Sequence, residues 1–318
     1  MDFAEYKDDM HERTLTGVIA DLFSAQMAQW PQLRTAYEVL RQTREREIKC
    51  DGFNVRLRHN SLRAKSTTAN VDEKSIAARP CFLCMDNLPN EQQSILYRGK
   101  YRILCNPMPA FERHVTIAAV EHCPQSIEGN SRVFFQLMED LGSGWTVLYN
   151  GPRCGASAPD HNHFQAIPSG LLPIEGEIAA VDQSRLNDSE MVRLYSAEEL
   201  GRHLIFLRGG NKEALQAAFE GFLTFLKKDA TVEVEAMVNV AGRKNGDEFH
   251  VFVFPRSKHR PEAYFLTGHE KITVSPAVIE MCGVIVTPVE LDFERLTGKQ
   301  IEAIYREVSL RTNMVARE

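Results

Sequence analysis

The sequence predicts an α+β fold built from two similar halves, each an antiparallel sheet with helices, preceded by an N-terminal extension. Strands and one long helix follow each other in the same order in both halves. The interval from His114 to Asn150 is 36 positions, and the interval from His203 to Asn239 is also 36 positions. Both stretches then reach a third strand that ends in a proline. We infer a degenerate internal duplication; the alternative is a chance match between two stretches of alternating strands and helices.

The N-terminal extension is predicted to cover residues 1–75. Apolar residues recur with helical spacing from Thr14 to Met27, and polar and apolar residues alternate like a strand from Phe53 to Arg58. A catalytic half is predicted at residues 76–175 and a second, non-catalytic half at residues 176–318.

The first half contains four predicted strands and one amphipathic helix. The strands cover residues 101–105, 114–120, 146–149 and 161–167. The helix covers residues 131–142. Its apolar side is formed by Phe134, Phe135, Leu137, Met138 and Leu141.

The second half repeats this order and then continues. Strands are predicted at residues 203–207, 232–240 and 249–254, with a helix at 212–228 and a turn at 242–247. Aligning Pro168 with Pro255 matches His163 with His250. Further strands are predicted at 271–274 and 282–288, and a last helix at 298–310.

Length and charge exclude several classes of protein. A chain of 318 residues, 43% of them hydrophobic, can bury a large core. The formal net charge of −6 argues against a nucleic-acid partner, because such surfaces carry dense positive charge. No segment approaches the ~20 consecutive apolar residues of a membrane span, so the sequence predicts a cytoplasmic protein without a membrane partner.

The chain contains seven cysteines at irregular spacing, which is not typical of a disulfide framework. Cys81 and Cys84 form a C-x-x-C pair, which binds zinc well when two further ligands complete a tetrahedron. We favour His122 and His161 as these ligands, with His114 as a substitute. The metal would be structural. A redox-active pair and two unligated cysteines are the alternatives.

The most informative motif is His161-x-His163-x-Gln165, which follows a Gly-rich loop. Side chains alternate between the faces of a strand, so these three side chains are predicted to share one face. Gly151 and Gly155 permit positive φ and close backbone approach, which suits a loop that wraps an anion. The alternative is a pair of surface histidines without a function.

A neutral imidazole can attack phosphorus at neutral pH, because its pKa of ~6.5 leaves a lone pair free. A backbone carbonyl on a neighbouring strand or loop would hold the second ring nitrogen. Gln165 would donate a hydrogen bond to a phosphate oxygen or to the leaving group. If His161 binds the metal, the ion also fixes the direction of the strand that bears His163.

The chain resembles the branch of the histidine-triad superfamily that includes galactose-1-phosphate uridylyltransferase. The motifs that carry this resemblance are Cys81-x-x-Cys84, His122, Asn150 and His161-x-His163-x-Gln165. The segment His161–Ala166 is also similar to the H-x-H-F-Q-A motif of GDP-hexose phosphorylases, as are Ser275–Gly283 and Val308–Leu310. Diadenosine tetraphosphate phosphorylases share much of the pattern.

In this branch two cysteines and two histidines hold zinc, which implies the four ligands named above. The second histidine of the motif is the nucleophile and the glutamine binds the transferred phosphate, which implies these roles for His163 and Gln165. By the same resemblance, Asn106 would contact the nucleotide and Asn150 would lie near the phosphates.

Positive charge has to offset the phosphates of such a substrate. Arg63 and Lys65 form one candidate cluster, and Arg153 lies in the Gly-rich loop. The alternative is that these are solvated surface charges. The predicted substrate-binding residues are Asn106, Asn150, Gly151, Arg153, Gly155, Ser157, Arg63 and Lys65.

The resemblance implies nucleotidyl transfer from a nucleotide sugar or a dinucleoside polyphosphate, with phosphate or a sugar 1-phosphate as acceptor. Hydrolytic histidine-triad proteins usually carry a third histidine where this chain has Gln165, which favours transfer to phosphate over transfer to water. The alternatives are a hydrolase and a zinc-containing nucleotide-binding protein without turnover. Because relatives of this fold often build sites between subunits, the resemblance also implies a homodimer.

Overall fold

The computed structural model of the protein describes residues 2–7, 13–69, 71–180, 184–188, 191–197, 199–228 and 235–312. The helices in these ranges are α1 (Leu15–Gln29), α2 (Pro31–Arg41), α3 (Ala64–Thr67), α4 (Glu73–Ala77), α5 (Ser131–Leu141), α6 (Ile174–Glu177), α7 (Lys212–Lys228), α8 (Val278–Met281), α9 (Glu290–Arg295) and α10 (Gly298–Val308). The strands are β1 (Asp2–Tyr6), β2 (Arg44–Lys49), β3 (Asn54–His59), β4 (Ser94–Tyr97), β5 (Tyr101–Cys105), β6 (Val115–Ala119), β7 (Trp145–Asn150), β8 (His163–Pro168), β9 (Ser184–Asp188), β10 (Arg193–Ala197), β11 (Leu204–Gly209), β12 (Val238–Asn245), β13 (Glu248–Pro255) and β14 (Val284–Thr287).

Eleven of the described strands form one long sheet in the order β1-β4-β5-β6-β8-β7-β12-β13-β11-β10-β9. Its neighbours are antiparallel, except that β1 runs parallel to β4. A second sheet has the order β14-β3-β2. The α+β fold class predicted from the sequence is confirmed, because the sheets and helices occur in both halves of the chain.

The strand order of the long sheet is mirrored about the contact between β7 and β12. On one side the order is β7, β8, β6, β5, and on the other it is β12, β13, β11, β10. Asn150 lies opposite Asn239 in this contact, so a two-fold axis through the pair relates positions 89 residues apart. The sequence intervals have the same offset, and we interpret the mirrored order as the product of a duplication.

The register of the ladders corrects the match of His163 with His250. Extending the β7–β8 ladder by two residues places His163 opposite Asn150. In the second half the residue opposite Asn239 is Phe254. Through this ladder a phenylalanine occupies the position related to His163, whereas the proline-based alignment places His250 there.

Helices cover one face of the long sheet. Phe134, Phe135 and Leu141 of α5 pack with Phe219 of α7, and all four are buried in a cluster that also includes α1 and α2. Their spacing places these apolar side chains on one side of each helix. The longest described helix, α7, has 17 residues, and no described helix combines the length and apolar character of a membrane span.

The second sheet covers the opposite face, together with α8 and α10. β3 pairs with β14 from the C-terminal part of the chain, and β1 pairs with β4 of the long sheet. The predicted N-terminal extension therefore contributes one strand, β1, to the long sheet and two strands, β2 and β3, to the second sheet.

Two predicted strands differ from the structure. Ile272 and Val274 are buried and alternate with Thr273, but the Thr273 amide donates to the Asp292 carboxylate instead of a neighbouring strand. For the predicted strand at 232–240, residues 232–234 lie outside the described residues and β12 begins at Val238. The predicted turn at 242–247 is shorter, because β12 continues to residue 245.

Candidate active site

A cleft of about 110 Å³ opens beside the end of β8. Seven residues predicted from the sequence contribute to its lining: Arg63, Asn106, Asn150, Gly155, Ser157, His163 and Gln165.

His163 is the first residue of β8 and is buried at the cleft. Its Nδ1–H donates to the backbone carbonyl of His161 at 2.8 Å. Burial lowers the pKa of His163 to about 4, so the ring is neutral at pH 7. Because Nδ1 carries the proton, the lone pair is on Nε2, which has no protein partner in the described part of the chain.

Gln125 fixes the backbone at this point. Its Oε1 accepts from the His163 amide at 2.8 Å, and its Nε2 donates to the carbonyls of His163 and Asn150 at 3.0 and 2.9 Å. The side chain thus bridges the ends of β7 and β8. No spacing or motif in the sequence singles out this buried glutamine.

A chain of hydrogen bonds orients the amide of Gln165. The Ala110 amide donates to His114 Nδ1 at 3.1 Å, so the ring proton of His114 is on Nε2. This Nε2–H donates to Gln165 Oε1 at 2.7 Å. Because the amide oxygen is occupied, the Gln165 amide NH2 group is left for a ligand in the cleft. His114 is therefore not a metal ligand, and the sequence interpretation that offered it as a substitute is wrong.

Asn150 is oriented in the same way. Its Oδ1 accepts from Asn239 Nδ2 and from the Val278 amide, both at 2.8 Å. Its NH2 group is again left for a ligand. The cleft therefore combines one neutral imidazole nitrogen with two carboxamide donors, which suits a tetrahedral oxyanion such as a phosphate.

If the cleft acts on a phosphate, replacing Gln165 with glutamate should lower kcat/KM by about 10²–10³-fold, because it removes one donor to the phosphate and adds a negative charge of similar shape. Steady-state kinetics at pH 7.5 measures this effect. Gln42→Glu, an exposed position, is the matched control. If Gln165→Glu keeps activity within threefold of the control, the amide does not contact the phosphate.

The Gly-rich loop borders the cleft at one of its two glycines. Gly155 has φ of +96°, and a Cβ atom there would lie 2.7 Å from the Cβ of Ala277, so this position requires glycine. Gly151 is absent from the lining. A Cβ atom at Gly151 would lie 2.9 Å from the Val238 carbonyl oxygen. Arg153 is exposed and donates to the Glu235 carbonyl at 3.3 Å, also outside the lining.

The cleft contains both charge signs. Arg63 lies in its lining and donates to the Met108 carbonyl at 3.1 Å. Glu280 is a buried carboxylate in the same lining, and burial raises its pKa. The side chain of Lys65 lies outside the described residues. Asn106 uses its amide to hold the turn, donating to Thr116 Oγ1 at 3.2 Å.

A second, smaller cavity of about 20 Å³ adjoins the cleft. The two share Arg63, Gly155, Ser157, Ala277 and Glu280 in their linings. His259, Arg260 and Ser275 line only the second cavity. Arg260 Nε donates to Ser275 Oγ, and Nη2 donates to the Thr67 carbonyl, both at 3.0 Å. The C-terminal part of the chain thus contributes a further arginine next to the cleft.

Four predicted ligands form a cluster that can hold a metal ion. The donor atoms of Cys81, Cys84, His122 and His161 lie within 4.8 Å of one another. His161 Nδ1 is 3.3 Å from Cys81 Sγ and 3.6 Å from Cys84 Sγ, and His122 Nδ1 is 3.2 Å from Cys84 Sγ. A tetrahedral zinc ion with ordinary bond lengths places sulfur and nitrogen ligands about 3.6 Å apart, so the donor set fits this metal.

The cluster is coupled to His163 through the backbone. His161 Nε2–H donates to the Ala119 carbonyl at 2.8 Å, which leaves Nδ1 for the metal. The carbonyl of the same residue accepts from His163 Nδ1. His161 precedes β8 and its ring turns to the cysteines, so the predicted row of three side chains in one cleft is reduced to His163 and Gln165.

Two family models match separate parts of the chain. One, described as a domain of unknown function (DUF4922), covers residues 22–168. The other, described as a GDPGP1-like C-terminal domain, covers residues 201–316. No curated protein matches the chain.

Structures of yeast Ap4A phosphorylase Apa2 share the fold. The complex with Ap4A has 14% sequence identity and a TM-score of 0.62, covering 92% of this chain and 95% of that chain. The complex with AMP has 13% identity and a TM-score of 0.57, covering 89% and 96%. Together with the C-terminal match, these findings confirm the predicted resemblance to the uridylyltransferase and phosphorylase branch of the histidine-triad superfamily.

Proposed function

We propose that this chain, which shares its fold and its C-terminal family match with phosphorylases of the histidine-triad superfamily, is a phosphorylase that works through a nucleotidyl-histidine. Its substrate would be a nucleoside diphosphate sugar or a dinucleoside polyphosphate. The observation that carries the proposal is the neutral His163 ring, with Nδ1 bound to a carbonyl and Nε2 at the cleft beside two amide donors.

In the first step, His163 Nε2 attacks the α-phosphorus of the substrate. A nitrogen–phosphorus bond forms, and the bond from phosphorus to the bridging oxygen breaks, releasing a sugar phosphate or a nucleotide. The ring becomes cationic because Nδ1 keeps its proton. The His161 carbonyl at 2.8 Å stabilises this charge.

In the second step, an oxygen of inorganic phosphate attacks the same phosphorus and the nitrogen–phosphorus bond breaks. The product is a nucleoside diphosphate, and His163 returns to its neutral form. A sugar 1-phosphate as acceptor would regenerate a nucleotide sugar instead. Ping-pong kinetics follow from the two displacements.

The amide at position 165 favours phosphates as leaving group and acceptor. Gln165 donates a hydrogen bond but cannot transfer a proton at neutral pH. The leaving group therefore has to depart as a stable anion, which a phosphate does. Transfer to water would need a base to remove a proton, and His114, the nearest ring, is tied to Gln165 and to the Ala110 amide.

The two cavities suggest how the substrate lies. The part of the cleft outside the second cavity includes the apolar side chains of Phe82, Leu83 and Leu88, which suit a nucleobase. Arg63 borders both cavities and Arg260 only the second, so the departing and attacking phosphates would lie on the arginine side.

A zinc ion bound by Cys81, Cys84, His122 and His161 would be structural, because protein ligands occupy all four positions of a tetrahedron. It would supply rigidity to the segment before β8. No step of the reaction passes through it.

The proposal is tested by incubating the protein with nucleotide sugars of guanine, adenine and uracil and with Ap4A, each with radiolabelled phosphate, with a sugar 1-phosphate, or without acceptor. We expect labelled nucleoside diphosphate with phosphate, and no turnover beyond one enzyme equivalent without acceptor. Nucleoside monophosphate formed equally fast without acceptor would identify a hydrolase. Binding without consumption of any substrate would identify a nucleotide-binding protein.

A further inference from the structure

A row of basic side chains crosses the second half of the long sheet, outside both cavities. Arg193 lies opposite Arg208, Arg208 lies opposite His250, and His250 lies opposite Arg243. Directly opposite residues on antiparallel strands project from the same face with Cβ atoms about 4.5–5.5 Å apart. These four side chains, here called the basic row, therefore lie side by side on one face.

The basic row is separate from the candidate active site. None of its members lines the cleft or the adjoining cavity. Arg243 lies opposite Thr146, which is four residues before Asn150 on β7. At about 3.3 Å per residue, the row is about 13 Å along the strands from the asparagine in the cleft.

Within the basic row, the positive charge of Arg208 is the one without an ion pair among the described residues. No carboxylate of the described residues forms an ion pair with it, and its guanidinium contacts the ring of Tyr195 at 5.6 Å. It stands between Arg193 and His250 in the ladder. Like charges directly opposite each other destabilise a sheet, and an anion beside Arg208 would offset its repulsion with Arg193.

Two carboxylates of the described side chains lie near the row, and neither forms an ion pair with Arg208. Glu248 is 3.9 Å from Arg193 and 3.5 Å from His250. Glu175 is 4.0 Å from Arg243, but its oxygens accept hydrogen bonds from the Thr146 hydroxyl and the Gly170 amide. These separations exceed those of a charge-assisted hydrogen bond, about 2.7–2.9 Å.

Three nitrogens of the row are buried without a hydrogen-bond partner in the described ranges: Arg208 Nε, Arg243 Nε and His250 Nε2. Buried donors in folded proteins nearly always have an acceptor, and an orphaned donor often marks the position of an ion or water. Two such guanidinium donors flank an unpartnered imidazole nitrogen on adjacent strands, which indicates a common ligand.

We propose that the basic row binds a phosphate group, at a site distinct from the cleft. Neighbouring strands lie about 4.8 Å apart, so Arg208 and Arg243 flank His250 with about 10 Å between their backbones. Their side chains converge on one anion above the imidazole. The planar guanidinium matches the oxygens of a phosphate, and a dianion neutralises two arginines where a single carboxylate neutralises one.

The test measures phosphate binding by Arg208→Gln, Arg243→Gln and a matched control, Lys244→Gln. Lys244 follows Arg243 in β12 and projects from the opposite face, where it contacts Phe249 at 5.7 Å. Equilibrium dialysis with radiolabelled inorganic phosphate, at constant ionic strength, gives the number bound per chain. We expect both row variants to bind one phosphate fewer than wild type and Lys244→Gln.

This difference does not depend on the proposed function. If the cleft also binds phosphate, wild type binds two and the row variants one; if the cleft binds none, the counts are one and zero. Arg63→Gln reports on the cleft in the same assay. Equal phosphate binding by Arg208→Gln, Arg243→Gln and Lys244→Gln would overturn the proposal.

Thermal unfolding separates a ligand site from a structural ion network. Without phosphate at low salt, Arg208→Gln should keep or raise the Tm, because like-charge repulsion is relieved, and phosphate should no longer raise it through the row. A Tm lowered equally with and without phosphate, or failure of both row variants to fold, would show that the row is structural. Competition by AMP against the labelled phosphate that Arg63→Gln still binds identifies a phosphomonoester as ligand of the row, and its absence identifies free phosphate.

Discussion

Replacing His163 with alanine should lower kcat by at least about 10⁴-fold, an increase in the activation free energy of about 5 kcal/mol. The reason is that this residue would form a covalent bond to the substrate, and no other described histidine lines the cleft. The amide donors and the binding residues would remain, so the KM should change far less than kcat. Steady-state kinetics with the substrate found in the acceptor screen measures both constants.

His269→Ala is the matched control, because His269 is exposed and distant from any cavity lining described above. His163→Ala should keep the metal content of wild type and a cooperative thermal transition, at a Tm lowered by the loss of a buried, hydrogen-bonded ring, which separates loss of chemistry from loss of the fold. Activity within tenfold of His269→Ala would exclude His163 as the nucleophile.

Removing the metal should lower the stability of the protein substantially. Structural zinc contributes about 10–16 kcal/mol in zinc-finger peptides. A third of this value is about 4 kcal/mol of unfolding free energy. Because 1 kcal/mol shifts the Tm of a large domain by about 2–4 °C, the Tm of Cys84→Ser should fall by about 10 °C. Elemental analysis should give one zinc per chain in wild type and much less in the variant. Activity should also fall, because the His161 carbonyl that holds His163 loses its anchor.

Cys123→Ser is the control, because Cys123 follows His122 directly and is not part of the cluster. It should retain wild-type zinc content and a Tm within about 2 °C of wild type, as is usual for a substitution that leaves no cavity. Full zinc content in Cys84→Ser would show that the ion is held elsewhere. Wild-type protein purified without any metal, at an unchanged Tm, would contradict the structural role.

The elements with a strong local signal could be predicted from the sequence. The helix predicted at 212–228 coincides with α7, and the helix predicted at 131–142 differs from α5 by one residue. Their apolar periodicity is independent of tertiary context. The short strand β1 could not be predicted, because it is defined by its pairing with β4 across the chain. The alternation around Thr273 predicted a strand that the structure does not contain. The Thr273 amide donates to the Asp292 carboxylate and not to a neighbouring strand among the described residues.

In the candidate site, too, some residues have a local sequence signal and others are defined only by tertiary contacts. The metal ligands and His163 are singled out by residue type and spacing, which reflect chemistry. The residues that orient them are not, because their roles depend on strand register. Gln125, His114 and Asn239 act through hydrogen bonds to groups 25 to 89 positions away. A sequence pattern contains no record of which strands pair in which register.

Arg153 and Gly151 illustrate a further difference. Both belong to the Gly-rich loop, and the loop does border the cleft, but only its second glycine and Ser157 reach the lining. The position of a loop residue depends on the backbone path between its glycines. Composition alone predicts that the loop lies beside an anion site. Which loop residues line that site depends on the backbone path.

The most direct test of the account is detection of the covalent intermediate. The protein is mixed with a nucleotide substrate labelled in its base, without acceptor, and analysed by denaturing gel and by mass spectrometry of its peptides. We expect acid-labile label, up to one nucleotide per chain, on the peptide that contains His163, and its release as nucleoside diphosphate when phosphate is added. Substrate cleavage with no label on the protein, or equal labelling of His163→Ala, would contradict the account.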